Sequence, residues 1–217
     1  MNRRNFLITS GIATVSLLSG CLDQDDTDEQ TDSQTVESYP VGFNERSVSP
    51  NTVTQNHIET IVGTDSITSE IKITTSDFVE RTVGKKDGEF RSLDVYINES
   101  DQAQTTLLSE NERTYTRDRT QANMYSIEED RIISAEALCH SEQLKTVLSS
   151  IIIRSNGLDG DTIVYNIVGE SNTSELDSIF SSAENYSGEL RVHSETGLVQ
   201  EITLSASGNQ QFTYSFE

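Results

Sequence analysis

The strongest constraint on the fold lies at the end of the chain, where apolar side chains recur at every second position between glycine-bearing breaks. Three runs, Glu189–Ser194, Leu198–Ser207 and Gln211–Phe216, are separated by Glu195-Thr196-Gly197 and by Gly208-Asn209. Leu198, Ile202, Leu204 and Ala206 fall on one face, as do Phe212, Tyr214 and Phe216. A period of two is the strand repeat, and short glycine-containing breaks between such runs are hairpin turns. The spacing predicts a three-stranded antiparallel meander with one buried face.

The same period continues upstream. Ser66–Thr75 places Ile67, Ile71 and Ile73 on one face, and Glu89–Asn98 does so with Leu93, Val95 and Ile97. Ala103–Ser109, Arg113–Arg117 and Met124–Ile127 read as shorter strands, the first two joined by a turn at Glu110-Asn111-Glu112. Thr162–Glu170 is apolar on both faces, the pattern of a central strand, and follows breaks at Asn156-Gly157 and Asp159-Gly160. Helical spacing appears in three places. Ser49-Pro50 opens a stretch with Val53, His57, Ile61 and Val62 and a stop at Gly63. From Glu129 to Ile151 a stripe of Ile133, Ala137, Leu144, Val147, Leu148 and Ile151 predicts a helix, with Glu128-Glu129-Asp130 suiting its N-terminal dipole. Ser174–Ala183 reads as a short helix capped at Thr173 or Ser174. The fold class is α+β: a curved antiparallel sheet, a half-open β-barrel, with helices packed on its concave face.

The N-terminus has a different character. Arg3-Arg4 precede an apolar stretch from Phe6 to Leu18, which is short of the ~20 apolar residues that a spanning helix needs. Leu18-Ser19-Gly20-Cys21 then has the form of a lipobox, the cleavage and lipid-attachment signal of lipoproteins. Asn2-Arg3-Arg4-Asn5-Phe6-Leu7 resembles a twin-arginine export signal, departing from it at Asn2 and Ile8; the Sec route stays open. The expected organisation is a signal peptide over 1–20, a lipidated Cys21 with an acidic tether over 21–38, and one α+β domain over 39–217. The tether, Leu22-Asp23-Gln24-Asp25-Asp26 onward, has too few apolar side chains to bury and is expected to be disordered. Its aspartates lack the spacing of a calcium loop. The protein is expected on the extracytoplasmic face of the cell membrane, held by lipid on Cys21.

The chain carries 36 acidic and 15 basic residues, a net charge of −21. Cleavage after Gly20 would remove Arg3 and Arg4 and no acid, deepening this to −23. Such self-repulsion is relieved in multimolar salt, where the Debye length falls to about 3 Å or less. The composition resembles the surface chemistry of extreme halophiles. Nucleic acid is disfavoured as a partner, because no basic face is available to meet phosphates. With Cys21 occupied by lipid, Cys139 stands alone in a helical stretch and reads as a buried, inert thiol.

No nucleophile elbow, phosphate-cradling loop or dinucleotide fingerprint occurs. His57, His140 and His193 are far apart in sequence, and His140 reads as part of a packed helix face. The expectation is therefore no catalytic residue, no metal and no cofactor. Asn98, Asn172 and Asn185 stand in Asn-x-Ser/Thr sequons and are candidate N-glycosylation sites on an exported protein.

The lipobox, the acidic tether, the helix around His57, the Thr114-Tyr115-Thr116-Arg117 strand and the Val192–Val199 hairpin together resemble LolA-like lipoproteins, an unclosed β-barrel capped by helices. The resemblance is nearer to haloarchaeal secreted lipoproteins with that fold. It implies carriage of a lipid or other apolar ligand between sheet and helices by a non-enzymatic module. The alternative is a structural or protein-interaction lipoprotein of the cell surface, with no ligand, meeting an envelope protein through a sheet edge or face.

Overall fold

Period-two segments become strands, and eleven of them join into one antiparallel sheet. The structure is a computed structural model describing residues 35–120, 124–129, 131–171, 176, 179–180 and 183–217. In chain order the elements are α1 (Pro50–Gly63), β1 (Ser66–Thr74), β2 (Val79–Asp87), β3 (Phe90–Ile97), β4 (Thr105–Glu110), β5 (Arg113–Asp118) and β6 (Met124–Glu129). There follow α2 (Ala135–Leu138), α3 (Ser141–Ser150), β7 (Ile151–Asp159), β8 (Thr162–Glu170), β9 (Ser187–His193), β10 (Val199–Ala206) and β11 (Gln210–Phe216). The strand order is β6-β5-β4-β3-β2-β1-β11-β10-β9-β8-β7, so the sheet is unclosed, with β6 and β7 as its edges.

Register defines the two faces, because residues directly opposite on antiparallel strands share a face. Ile71 faces Tyr214, which faces Ile202, which faces Leu190, and Leu190 faces Tyr165. This row and its neighbours form the inner face and the core, closed by Val53, Ile61, Leu138, Leu144, Val147 and Leu148 from the helices. The three helices thus lie on one face of the sheet. The C-terminal meander forms β9, β10 and β11 as predicted, except at the start of β10, where a register shift between Val199 and Glu201 puts Val199 in place of Leu198 opposite Val192 and in the core. Val36 and Tyr39 also pack against the core.

α1 begins at Pro50 as its sequence requires. Ser49 does not cap a backbone amide; its hydroxyl meets that of Thr52 at 2.9 Å. Gly63 is the last helical residue rather than the stop, and Val62 faces solvent. Val53, His57 and Ile61, four residues apart, form the buried stripe. His57 is fully buried: its Nε2 accepts from the Val199 amide at 2.9 Å, and its Nδ1 lies 3.3 Å from the Tyr214 hydroxyl. Accepting at Nε2 puts the proton on Nδ1, which donates to Tyr214. Burial pushes the His57 pKa down to about 4, so the ring is neutral at ordinary pH. One side chain therefore ties α1 to two strands.

Further features depart from the sequence expectation. β2 was absent from it, since its inner-face positions are Thr82, Gly84 and Lys86, which give no apolar alternation. Lys86 is nonetheless buried, donating to the Ile61 carbonyl at 2.7 Å and to the Thr64 carbonyl, where it closes the C-terminus of α1. The single helix over 129–151 is instead two helices preceded by a strand. Glu128 and Glu129 end β6, and the backbone breaks between α2 and α3 at His140, which adopts φ +51°. The predicted stripe is interrupted there: Ala137 is exposed and α2 buries Ala135 and Leu138 instead, while Leu144, Val147 and Leu148 of α3 are buried as expected.

Ile151 opens β7, an unanticipated strand that absorbs Asn156-Gly157 as a bulge. β8 is not central but second from an edge, although Ile163, Val164 and Tyr165 are buried from both faces. Within Ser174–Ala183 the described residues show a turn in which the Ile179 and Phe180 amides meet the Leu176 carbonyl. The capping residues Thr173 and Ser174 lie outside the described residues.

Candidate functional site

After β6 the chain must return across the sheet to place α2 over β2. A crossing segment without a ladder needs partners for its backbone groups, and inner-face side chains supply them. Thr114 Oγ1 donates to the Arg131 carbonyl at 2.7 Å, the Ile133 amide donates to Ser109 Oγ at 2.8 Å, and Arg91 donates to the Ile133 carbonyl at 2.5 Å. Arg91 faces Ser109, which faces Thr114, so the three anchors form one row across β3, β4 and β5.

Ser134 then accepts from the Ala137 amide at 3.2 Å and starts α2. α2 ends against the sheet at Gly84, where a Cβ would sit 2.6 Å from the Leu138 carbonyl oxygen and 2.8 Å from Ser69 Oγ. Ser69 donates its hydroxyl to that same carbonyl. The close approach is possible only because position 84 has no side chain.

The break at His140 leaves a cleft of about 570 Å³ between the α2–α3 corner and the inner face of β1–β3. Ile71, Leu93 and Val95 form its apolar floor, with Thr82 among them; Ala137 and His140 line the helix side, and Glu136 and Glu142 stand at the rim. His140 is 5 % exposed, and its Nε2 is buried with no hydrogen-bond partner. Burial pushes its pKa down to about 4, opposed by the Ser69 carbonyl, so the ring is neutral at ordinary pH. The neutral ring carries one proton, and with that proton on Nδ1 its Nε2 is an acceptor. The Glu136 carboxyl is held below its usual range by its own backbone amide and the Ser134 hydroxyl. The arrangement suits an apolar body with a polar end: aliphatic floor, one buried acceptor, acidic rim.

Two other cavities are more polar and more committed. One of about 210 Å³ on the outer face holds Lys72, which faces Glu99 at 3.6 Å, and Arg81, which stacks over Tyr96 at 4.1 Å. Another of about 600 Å³ holds Lys86 and Arg91, both already bonded to carbonyls.

The remaining sequence candidates scatter. Cys139 is fully buried beside the cleft, and burial pushes its thiol up to about 12, so it stays un-ionised. His193 is the last residue of β9, with Nδ1 accepting from the Glu195 and Thr196 amides of the following turn at 3.3 Å and Nε2 3.7 Å from Asp161. Among the described residues no group of three or more His, Cys, Asp or Glu side chains could hold a metal ion. None of their helices is long and apolar enough to cross a membrane. Asn98 and Asn185 are exposed and adopt φ +53° and +57°. Arg3, Arg4, Leu18, Ser19, Gly20, Cys21 and Asn172 lie outside the described residues. The resemblance implied a ligand space between sheet and helices, but not the residues that form this cleft. Leu93 and Val95 announced a common face, but nothing near them in sequence signals Gly84 or the backbone break at His140.

No protein-family model matches the sequence, and no curated protein matches it. Among solved structures, the crystal structure of MucB in complex with MucA(peri) is similar at 13% identity with a TM-score of 0.33. The match covers 75% of this chain and 52% of that one, so this chain spans about half the length of its solved counterpart. A likeness this loose carries no argument about fold family or function.

Proposed function

We propose that this chain is a non-enzymatic binding module that takes a lipid or other apolar ligand in the cleft between the α2–α3 corner and β1–β3. In this reading it is a LolA-like lipoprotein, exported and anchored through Cys21 to the extracytoplasmic face of the membrane. The observation that carries ligand binding is the apolar floor of Ile71, Leu93 and Val95 beside a buried, unpartnered His140 Nε2. A ligand hydroxyl or amide reaching that nitrogen would offset the cost of a buried acceptor left unpaired. The test is native mass spectrometry of the full chain purified from its own membranes in high salt. The expected result is mass in excess of the polypeptide, lost on organic extraction and lost in Val95→Trp, whose indole fills the cleft. A bare polypeptide mass refutes ligand carriage. Anchoring is tested separately: Cys21→Ser releases the protein to the medium or blocks its processing, and continued partition with membranes refutes the anchor.

A second reading, an interaction lipoprotein of the cell surface without a ligand, is favoured by β6. That edge strand exposes Met124, Tyr125 and Ile127. A bare polypeptide mass together with a membrane-retained wild type supports it.

A further inference from the structure

The two edges of the sheet are built differently. β7 breaks register at Ile152/Ile153 and again at Ser155/Gly157, carries Arg154 between these breaks, and has its Ser155 amide bonded to the Glu45 carbonyl at 2.8 Å. Bulges, charge and a covering loop are the devices that stop an edge strand from pairing with another chain. Among the described residues β6 shows no register break and no backbone hydrogen bond from a covering loop, and its charges are confined to Glu128 and Glu129 at its end. Its six residues pair with β5 in unbroken register, all six are exposed, and no Pro, Gly or Lys interrupts them. Met124, Tyr125 and Ile127 are 57%, 69% and 62% exposed, so the open edge is also apolar.

Charge says what could approach it. The chain carries −21, and another copy is repelled over most of its surface. Residues 113–131 escape this repulsion because they carry no net charge: Arg113, Arg117, Arg119 and Arg131 match four carboxylates. Arg113–Glu129 at 3.6 Å and the Arg131–Glu128 pair neutralise the two glutamates that end the strand.

The sequence of β6 is also self-complementary. Antiparallel pairing about a two-fold axis normal to the sheet sets same-face residues opposite one another. With the axis at Ser126, Tyr125 lies opposite Ile127 of the second copy, and Ile127 lies opposite its Tyr125. Met124 then faces Glu128, and within the strand no carboxylate opposes another. Aromatic against β-branched is among the favourable cross-strand pairs, and the symmetry supplies it twice. We propose that this chain forms a two-fold dimer by antiparallel pairing of β6 with β6 of a second copy, centred on Ser126, making one continuous sheet across both subunits.

Sedimentation of the full chain across concentration, in high salt, tests this. The expected result is a doubling of mass. Tyr125→Lys/Ile127→Lys sets like charges opposite one another and should weaken dimerisation by about tenfold or more. Tyr125→Glu/Ile127→Lys sets opposite charges in the same places and should restore it. In a Cys21→Ser background, Ser126→Cys should form an intermolecular disulfide under mild oxidation and Ile127→Cys should not. Ser126→Cys is nearly isosteric, so it decides the matter even where a lysine variant unfolds. A monomer at every concentration, dimerisation unchanged by the two lysines, or crosslinking at position 127 in place of 126 would each overturn the proposal.

Discussion

Acidification should destabilise the fold through His57, whose burial excludes the charged ring. The ring is buried and neutral, with a folded pKa of about 4 against an ordinary value of 6.5. Between these values the unfolded chain binds a proton that the native state does not, so stability rises with pH across this window. The contribution is complete above the unfolded value and is lost as pH falls toward the folded one. A gap of this size corresponds to roughly 3 kcal/mol once pH lies below both values, and about 2 kcal/mol of that is already lost at about pH 5. The perturbation is His57→Gln, which keeps an acceptor for the Val199 amide but cannot titrate. Urea unfolding of wild type and variant at about pH 7 and about pH 5, at one salt concentration, supplies the comparison, and carboxylate titration common to both cancels. The variant should be the less stable at neutral pH, and its deficit should shrink by about 2 kcal/mol at the lower pH. An equal deficit at both pH values would refute the neutral, buried assignment of His57.

Two further substitutions probe how the helices are seated. Gly84→Ala places a methyl against the Leu138 carbonyl and Ser69 Oγ, so α2 must lift; a loss of about 1–3 kcal/mol is expected in urea unfolding, and an unchanged midpoint would mean that the approach is not tight. Lys86→Met keeps the aliphatic stem but leaves the Ile61 and Thr64 carbonyls without their donor; about 1–3 kcal/mol should be lost, and amide exchange in the last turn of α1 should rise.

The sheet was legible wherever one face is aliphatic and the other polar. Ile67/Ile71/Ile73, Leu93/Val95/Ile97 and Phe212/Tyr214/Phe216 each predict a strand, and each lies in one. The turn at Glu110-Asn111-Glu112 was legible too: Asn111 and Glu112 both take positive φ in the two-residue link between β4 and β5. β2 was not, because its inner side chains serve helix seating and capping rather than apolar burial. Thr82, Gly84 and Lys86 are polar or absent side chains to any pattern reading, yet they meet the cleft, the end of α2 and the end of α1. The break at His140 was hidden for a related reason. Ala137, Leu144, Val147 and Leu148 keep a helical spacing whether or not the backbone between them is continuous. The cleft depends on these two silent positions, Gly84, which seats the end of α2, and His140, where the backbone breaks.

The pairing of β1 with β11 has a consequence for the order of folding. β1–β6 is a meander whose strands pair in chain order, and so is β7–β10; each can zip as it appears. Their only junction in the sheet is a strand made after both, with the Thr68 and Glu217 backbones exchanging hydrogen bonds at 2.8 Å across it. Contacts of such sequence separation are slow to form, since a long loop must close before any contact rewards it. Until residues 210–217 are available, each half sheet has an open inner edge, at β1 and at β10, and exposed strand edges are the surfaces through which incomplete chains aggregate. The chain therefore cannot complete its sheet piecemeal during synthesis. It closes in one late, long-range step, and loss of the final strand would leave two unpaired halves rather than a slightly smaller domain.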